Sequence, residues 1–290
     1  MLFYFIENFC YTKSTFAIKK SFLTLNLNSI ELLILGSSHT QNAINPEFLS
    51  KKTSNLAFGR QPISIEYYLI DKYIDNMPNL KTIILEISCH RFYNDLSPSY
   101  WNGYIYSILY NIKYNTSPLS IRNYSFTYSD YQYFSSMFYN YYNPFGYKYK
   151  TNKYGFVTNL FNDRFEKLKY DTIRIKKTFV MSHEFGDIKL FRMNKDFLIK
   201  SILFCKNKRI NVILITPPLY NTYLSQIPDY SINEVDSLIN KICGDYQIKW
   251  FNYSADKRFN IKDFLNDNHL NSNGAEKFSK IINTEILIKN

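Results

Sequence analysis

Short apolar runs, each stopped by glycine, proline or a polar turn, alternate along the chain with stretches whose apolar residues fall at helical spacing. Glu31–Leu35 (ELLIL) ends at Gly36 and predicts a buried parallel strand. Asn45-Pro46-Glu47 follows as a helix start, with Asn45 as cap and Pro46 at the first helical position. Thr53–Phe58 predicts a second strand, and Pro62–Ile74, with Ile65, Leu69, Ile70 and Tyr73 on one face, a helix. Lys81–Ile87 (KTIILEI) is a third strand of fully buried character. The alternation resumes at Asn194–Asn207 (helix), Asn211–Thr216 (strand), Ser231–Ile242 (helix), Gln247–Phe251 (strand) and Gly274–Leu287 (helix). Apolar strands alternating with helices predict an α/β domain whose parallel sheet is covered on both faces.

The segment from about 91 to 190 breaks this rhythm. It is rich in Tyr, Asn and Ser and has no clean period, as in Phe138-Tyr139-Asn140-Tyr141-Tyr142-Asn143-Pro144. Structureless loops of such length are uncommon in compact domains. It is expected to be a partly helical insertion packed over a single domain spanning 1–290. Its tyrosines have two readings, stacking on sugar faces or ordinary packing with a wet tip.

Composition changes the picture little. With 290 residues, 46% of them apolar, the chain can bury a core without disulfides or metal. The formal charge of +11 could draw anionic partners. The basic residues are scattered, however, and no nucleic-acid motif accompanies them, so no nucleic-acid partner is expected. Cys10, Cys89, Cys205 and Cys243 are far apart, with no CxxC pair and no metal-ligand spacing. Neither a metal nor a cofactor is implied. Met1–Phe9 is apolar but too short to span a bilayer, and it lacks the marks of a signal peptide. The compartment is not fixed by the sequence.

The candidate chemistry lies at two places far apart in the chain. Gly36-Ser37-Ser38-His39 directly follows the first strand, where open α/β sheets bind ligands. Taken alone it could be a polar turn capping a helix. Asn266-Asp267-Asn268-His269-Leu270-Asn271-Ser272-Asn273-Gly274 precedes the last helix. His269 could serve Ser38 as a base near neutral pH, or could be a loop residue beside a cap at Ser272. A nearby carboxylate would orient the imidazole.

Together these blocks resemble the GDSL/SGNH hydrolase superfamily. Gly36-Ser37-Ser38 matches its nucleophile turn, with Ser37 in place of the usual Asp, and Asn266–Leu270 matches its D-x-x-H-L block. Ser-Ser-His, Asn55–Gly59 (NLAFG), Thr216-Pro217-Pro218-Leu219-Tyr220 and the trailing Asn271 and Gly274 are similar to bacterial cell-envelope members. The resemblance covers roughly 31–91 and 192–287. It implies a flavodoxin-like three-layer sandwich, the SGNH hydrolase fold. It also implies an acyl-enzyme esterase or O-acyltransferase acting on acyl, chiefly acetyl, esters of a cell-surface carbohydrate or another small ester, and an association with membrane or cell-envelope machinery. Ser38 would be the nucleophile and His269 the base, with the N–H groups of Ser38 and Gly59 holding the oxyanion.

Two departures stand out. The acid expected three residues before the histidine is Asn266, and the carboxylate is next door at Asp267. Either Asp267 turns in or the pair works as a dyad. The G-x-N-D block is replaced by Glu86-Ile87-Ser88-Cys89-His90-Arg91. Ser88, His90 and Arg91 are candidate substitutes, and Arg91 could equally form a structural ion pair with Glu86. His39 is either a further polar group of the site or a solvent-facing helix-start residue. The alternative function is a catalytically impaired carbohydrate-binding or scaffold protein on the same fold. An unrelated nucleotide-binding α/β protein is disfavoured by the lack of glycine-rich phosphate motifs.

Overall fold

The structure, a computed structural model, describes residues 1–95, 101–114 and 117–288. Residues 96–100 and 115–116, within the expected insertion, and 289–290, at the end of the chain, lie outside the described residues. Helices α1 (Leu2–Thr12) and α2 (Thr15–Asn26) lead into β1 (Leu32–Leu35), α3 (Ser38–Ala43), β2 (Thr53–Asn55), α4 (Ile63–Tyr73) and β3 (Thr82–Glu86). The middle of the chain supplies α5 (Cys89–Phe92), α6 (Trp101–Tyr110), α7 (Phe126–Ser129), α8 (Tyr131–Tyr142), α9 (Arg164–Lys167) and α10 (Thr172–Thr178). Then follow α11 (Ile188–Asn207), β4 (Asn211–Thr216), α12 (Asn221–Leu224), α13 (Asp229–Tyr246) and β5 (Lys249–Asn252). A small antiparallel pair, β6 (Phe264–Asn266) and β7 (His269–Leu270), precedes α14 (Ser272–Ile282).

Strands β1 to β5 form one parallel sheet in the order β2-β1-β3-β4-β5. This is the flavodoxin-like order expected from the resemblance. From β1 the chain moves outward to β2 and then crosses back to β3. The boundary between β1 and β3 is therefore the topological switch point, where a crevice opens beyond the strand ends. Ser38 opens α3 three residues after β1 ends, beside that crevice.

Side chains alternate across the sheet because successive residues of a strand point to opposite faces. Leu33, Leu35, Ile83, Leu85, Val212 and Leu214 pack with Leu69 of α4, Ile202 of α11 and Ile239 of α13. Leu32, Ile34, Ile84, Ile213 and Ile215 pack on the other side with Ile175 of α10 and with Phe278 and Ile282 of α14. Both faces are covered, which is why the strands read as unbroken apolar runs and not as alternating ones.

Helix boundaries differ from the sequence expectation where side-chain caps decide them. The helix expected at Asn45 is only a single turn at Pro46–Phe48, although Asn45 does cap it by accepting from the Glu47 N–H at 3.1 Å. The full helix is α3, begun by Ser37. Helix α11 starts at Ile188, earlier than expected, because Asp187 accepts from the Leu190 N–H at 2.9 Å. The cap of α14 is Asn271, whose Oδ1 accepts from the Gly274 N–H at 3.0 Å, and not Ser272.

The insertion does not simply overlie the domain. Its helices α6, α7 and α8 join α1 and α2 around a separate aromatic core in which Ile6, Phe9, Phe16, Ile105, Phe126 and Phe134 are buried. Neither α1 nor α2 was expected. Phe58 packs against Phe16 at 5.9 Å between ring centroids, which ties this layer to the loop after β2.

Candidate active site

Glu86 organises the site, although the sequence marked it only as a partner for Arg91. It ends β3 with a fully buried carboxylate. Its Oε2 accepts from the Ser37 N–H at 2.6 Å and the Thr40 N–H at 3.2 Å. Its Oε1 accepts from the hydroxyls of Ser37 at 2.7 Å and Ser88 at 2.9 Å. Burial alone would raise its pKa, but Arg91, His39 and these donors outweigh that and hold the carboxyl at about 2. The anion thus fixes the turn between β1 and α3. Gly36 is needed there for clearance: a Cβ would lie 2.6 Å from Glu86 Oε2 and 2.8 Å from Thr40 Cβ.

Ser38 is the first residue of α3 and is half-buried. Its Oγ lies 2.8 Å from His269 Nε2. Two segments separated by 231 residues therefore meet here. On the other side of the ring, His269 Nδ1 lies 2.9 Å from Asn266 Oδ1. The same oxygen accepts from the N–H groups of Asn268 at 3.2 Å and His269 at 3.1 Å. The Asn266 amide nitrogen donates to Asp163 Oδ2 at 2.7 Å. These contacts leave the amide only one orientation, with its oxygen facing the imidazole. Nδ1 then carries the proton, and the Nε2 lone pair faces the Ser38 hydroxyl. A neutral amide in this position is harmful when its NH₂ group faces the ring and selects the wrong tautomer; here Asp163 prevents that.

Asp267 does not face His269, contrary to one of the two arrangements expected. It is buried, paired with the Arg164 guanidinium and hydrogen-bonded by the Thr222 hydroxyl. Its carbonyl accepts from the Tyr220 N–H at 3.0 Å. Turned this way, it braces the histidine turn against α9 and the loop after β4. Asn266 occupies the position next to the ring.

The remaining candidates are distributed as follows. Gly59 lies beside Ser38, where an added Cβ would be 3.9 Å from Ser38 Cβ. The loop leading to it is held by Asn55, which accepts from the Ala57 N–H at 3.0 Å and donates to the Ile44 carbonyl at 2.8 Å. Buried Lys19 donates to the Ala57 carbonyl at 2.7 Å, and burial lowers its pKa to about 7. His39 is buried and does not face solvent. Its Nε2 accepts from the Asn268 amide at 3.1 Å, while Nδ1 faces Ser88 Oγ at 3.4 Å. Ser88 is committed to Glu86. Arg91 is buried and pairs with Glu66, not with the Glu86 carboxylate; it donates to the Glu86 carbonyl at 2.6 Å.

All four histidines of the chain gather here. Ring centroids lie 5.3 Å apart for His39 and His269, 4.6 Å for His39 and His90, and 4.2 Å for His90 and His183. Tyr223 Oη lies 2.8 Å from His183 Nδ1 and 3.4 Å from His90 Nδ1. Burial keeps the rings neutral, lowering His39 to about 3 and both His183 and His269 to about 4. For His269, Asp163 and Glu86 act in the opposite direction and do not cancel the effect. Among the described residues, His39, Glu86 and His90 place possible metal-ligand atoms within 4.8 Å of one another. Each Glu86 oxygen already accepts two hydrogen bonds, so a cation would have to displace the donors that hold the turn between β1 and α3.

A cleft of about 340 Å³ opens at Ser38, walled by Arg60, Gln61, His90, His183 and Glu184. Its walls are rich in hydrogen-bonding groups. His183 and Glu184 come from the insertion, to which the sequence reading assigned no site residue. Asp163 was missed as well, since its 103-residue separation from Asn266 leaves no local pattern.

The fold and site together define a flavodoxin-like α/β protein with a serine–histidine–asparagine constellation at its switch point. No family model matches the chain, and no curated protein matches it. Among solved structures it is similar to a proposed acylhydrolase from Bacteroides fragilis, at 10% identity over 92% of this chain and 95% of that one, with a TM-score of 0.46. It is also similar to a proposed lipolytic protein of the G-D-S-L family from Desulfitobacterium hafniense, at 8% identity over 89% and 99%, with a TM-score of 0.42. A third is a proposed platelet activating factor from Streptococcus pneumonia, at 12% identity over 96% and 95%, with a TM-score of 0.45. The α/β assignment rests on the strand order described above.

Proposed function

We propose that the chain is a serine esterase or O-acyltransferase acting through an acyl-Ser38 intermediate. The observation that carries this reading is the alignment of Ser38 Oγ, His269 and Asn266, with contacts of 2.8 Å and 2.9 Å on opposite sides of the imidazole. Ser38 Oγ attacks the acyl carbonyl as its proton passes to His269 Nε2. The imidazolium then returns the proton to the departing alkoxide as the ester C–O bond breaks. Water, or a sugar hydroxyl, resolves the acyl-serine by the same steps in reverse order. The N–H groups of Ser38 and Gly59 stabilise the oxyanion, and loss of one such donor typically costs about 10²–10³ in rate. The Ser38 N–H opens α3, so no preceding turn takes it up.

The hydrogen-bonding walls of the cleft favour a polyhydroxylated substrate over a bare alkyl ester. This supports an acylated carbohydrate, and the location at the cell envelope comes into the reading through the superfamily resemblance. A serine-reactive fluorophosphonate should label Ser38, and Ser38→Ala should abolish both labelling and turnover of acetyl esters. A folded protein that takes up no probe would instead be a carbohydrate-binding scaffold.

A further inference from the structure

The aromatic layer built by α1, α7 and α8 carries a second feature, unrelated to Ser38. Between Asp95 and Asp163 the sequence has one acidic residue, Asp130, and its first thirty residues have one, Glu7. Both are engaged inside the layer. Asp130 caps α8 by accepting from the Tyr133 N–H at 2.9 Å. Glu7 accepts from the Ser125 hydroxyl at 2.6 Å and the Thr127 N–H at 2.7 Å. Lys13, Lys148 and Lys150 of the same layer are exposed. The field of this surface is therefore positive.

Its apolar side chains also turn outward. Helix α1 buries Ile6, Phe9 and Cys10 but exposes Leu2, Phe3, Tyr4 and Phe5. The end of α8 and the turn after it expose Tyr139, Tyr142 and Phe145, the last at 95%. Phe3 stacks on Tyr131 at 5.2 Å, and Phe9 meets Tyr141 at 5.1 Å, so the two helices run side by side and their exposed rings form one face. A cavity of about 450 Å³ opens along it, lined by Phe9, Met137, Tyr141 and Tyr149 together with Lys13 and Lys148. A face this apolar calls for a partner.

We propose that this face docks on an anionic phospholipid bilayer. Phenylalanine and tyrosine lie at the level of the headgroups, the lysines meet lipid phosphates, and the cavity admits part of one lipid molecule. Charge complementarity selects an anionic surface. Leu2, Phe3, Phe5 and Phe145 have no side-chain hydrogen-bonding group, which favours acyl chains over a sugar polymer. Among the described residues no helix is long and apolar enough to cross a membrane.

Flotation of the full chain with vesicles tests this. Phosphatidylcholine vesicles containing phosphatidylglycerol should bind it, less so at high salt, and pure phosphatidylcholine should bind it far more weakly. Phe3→Ser with Phe145→Ser, and separately Lys13→Glu with Lys150→Glu, should each weaken binding about tenfold or more, at roughly 1 kcal/mol per lysine near such a surface. A Phe145→Trp reporter should shift its emission to the blue on anionic vesicles. Circular dichroism confirms that each variant folds. The proposal is overturned by absent vesicle binding, by variants that bind as well as the parent, by equal binding to neutral vesicles, or by retention only on a soluble acidic polysaccharide. Ser38→Ala should bind vesicles like the parent, so the outcome is independent of the esterase reading.

Discussion

Restoring the missing acid with Asn266→Asp should damage this site, and the reason is Asp163. The wild-type amide nitrogen sits 2.7 Å from Asp163 Oδ2. A second carboxylate at that distance would be repelled by about 6 kcal/mol at an effective dielectric near 20. Neutralising a carboxylate of ordinary pKa at pH 7 costs only about 4 kcal/mol. The pair should therefore take up one proton and share it, as adjacent aspartates do. The variant gains no net negative charge beside His269, becomes less stable by about 2–4 kcal/mol, and is no more active than the parent. The double exchange, Asn266→Asp with Asp163→Asn, keeps one donor and one charge. It places the carboxylate against Nδ1, where an opposite charge raises a histidine pKa by about one to three units. Its stability should return to within about 1 kcal/mol of the parent. The low-pH limb of kcat/KM should move upward by about one to three pH units. The assay is a four-protein cycle of thermal unfolding and pH–rate profiles with an acetyl ester, and the coupling between the two sites should be about 1–3 kcal/mol. Asn266→Asp alone proving both more active and more stable, with additive effects across the cycle, would refute the orienting role given to Asp163.

The pH profile of the unaltered protein follows from the buried imidazole. A general base must be neutral, and burial lowers His269 to about 4, so kcat/KM should stay level from pH 7 to about 5 and halve near pH 4, not near 6.5. Stability behaves differently. Histidines held neutral in the fold bind fewer protons than the unfolded chain below pH 6.5, so the folded state loses stability as pH falls from there toward about 4. Brief exposure before each rate measurement, with unfolding followed by circular dichroism, separates the two effects. Gly36→Ala should cost about 1–3 kcal/mol, because its methyl must push aside Glu86 or Thr40. Since Glu86 also positions Ser37, acetyl-ester turnover should drop even below the melting temperature, and a variant with normal turnover would show that the turn tolerates the methyl.

What could be read in the sequence was whatever depends on neighbours along the chain. The strands were legible because both faces of the sheet are covered, so each shows an unbroken apolar run. Ser38 stood out because it closely follows an apolar strand, and the ends of parallel strands are where such sheets bind ligands, whereas His269 stood out only through the block that precedes the last helix. The residues that were missed act across long separations. Asp163 reaches Asn266 from a segment without periodicity. Glu86 was visible as a lone carboxylate at the end of an apolar strand, and its isolation there was a usable signal that the chain must supply it with donors. Helices α1 and α2 were not foreseen, since α1 is apolar around most of its circumference and lacks the polar face that marks a surface helix.

The same distinction explains why Asn266 looked like a defect. Judged by residue type, an amide beside a catalytic imidazole predicts the wrong tautomer and a loss of about 10⁴ in rate. Judged by its surroundings, the amide is a relay. Two backbone N–H groups and one distant carboxylate decide which end faces the ring, and the end they select is the oxygen. The negative charge has moved one residue outward, from the position touching the imidazole to Asp163 behind it. A charge at that remove orients the ring through the amide but stabilises the imidazolium less than a direct carboxylate would, which fits the strongly lowered pKa of His269. On the proposed reading the site trades electrostatic support of a protonated His269 for an imidazole that stays neutral well below pH 6, and the exchange of residues 163 and 266 reverses that trade.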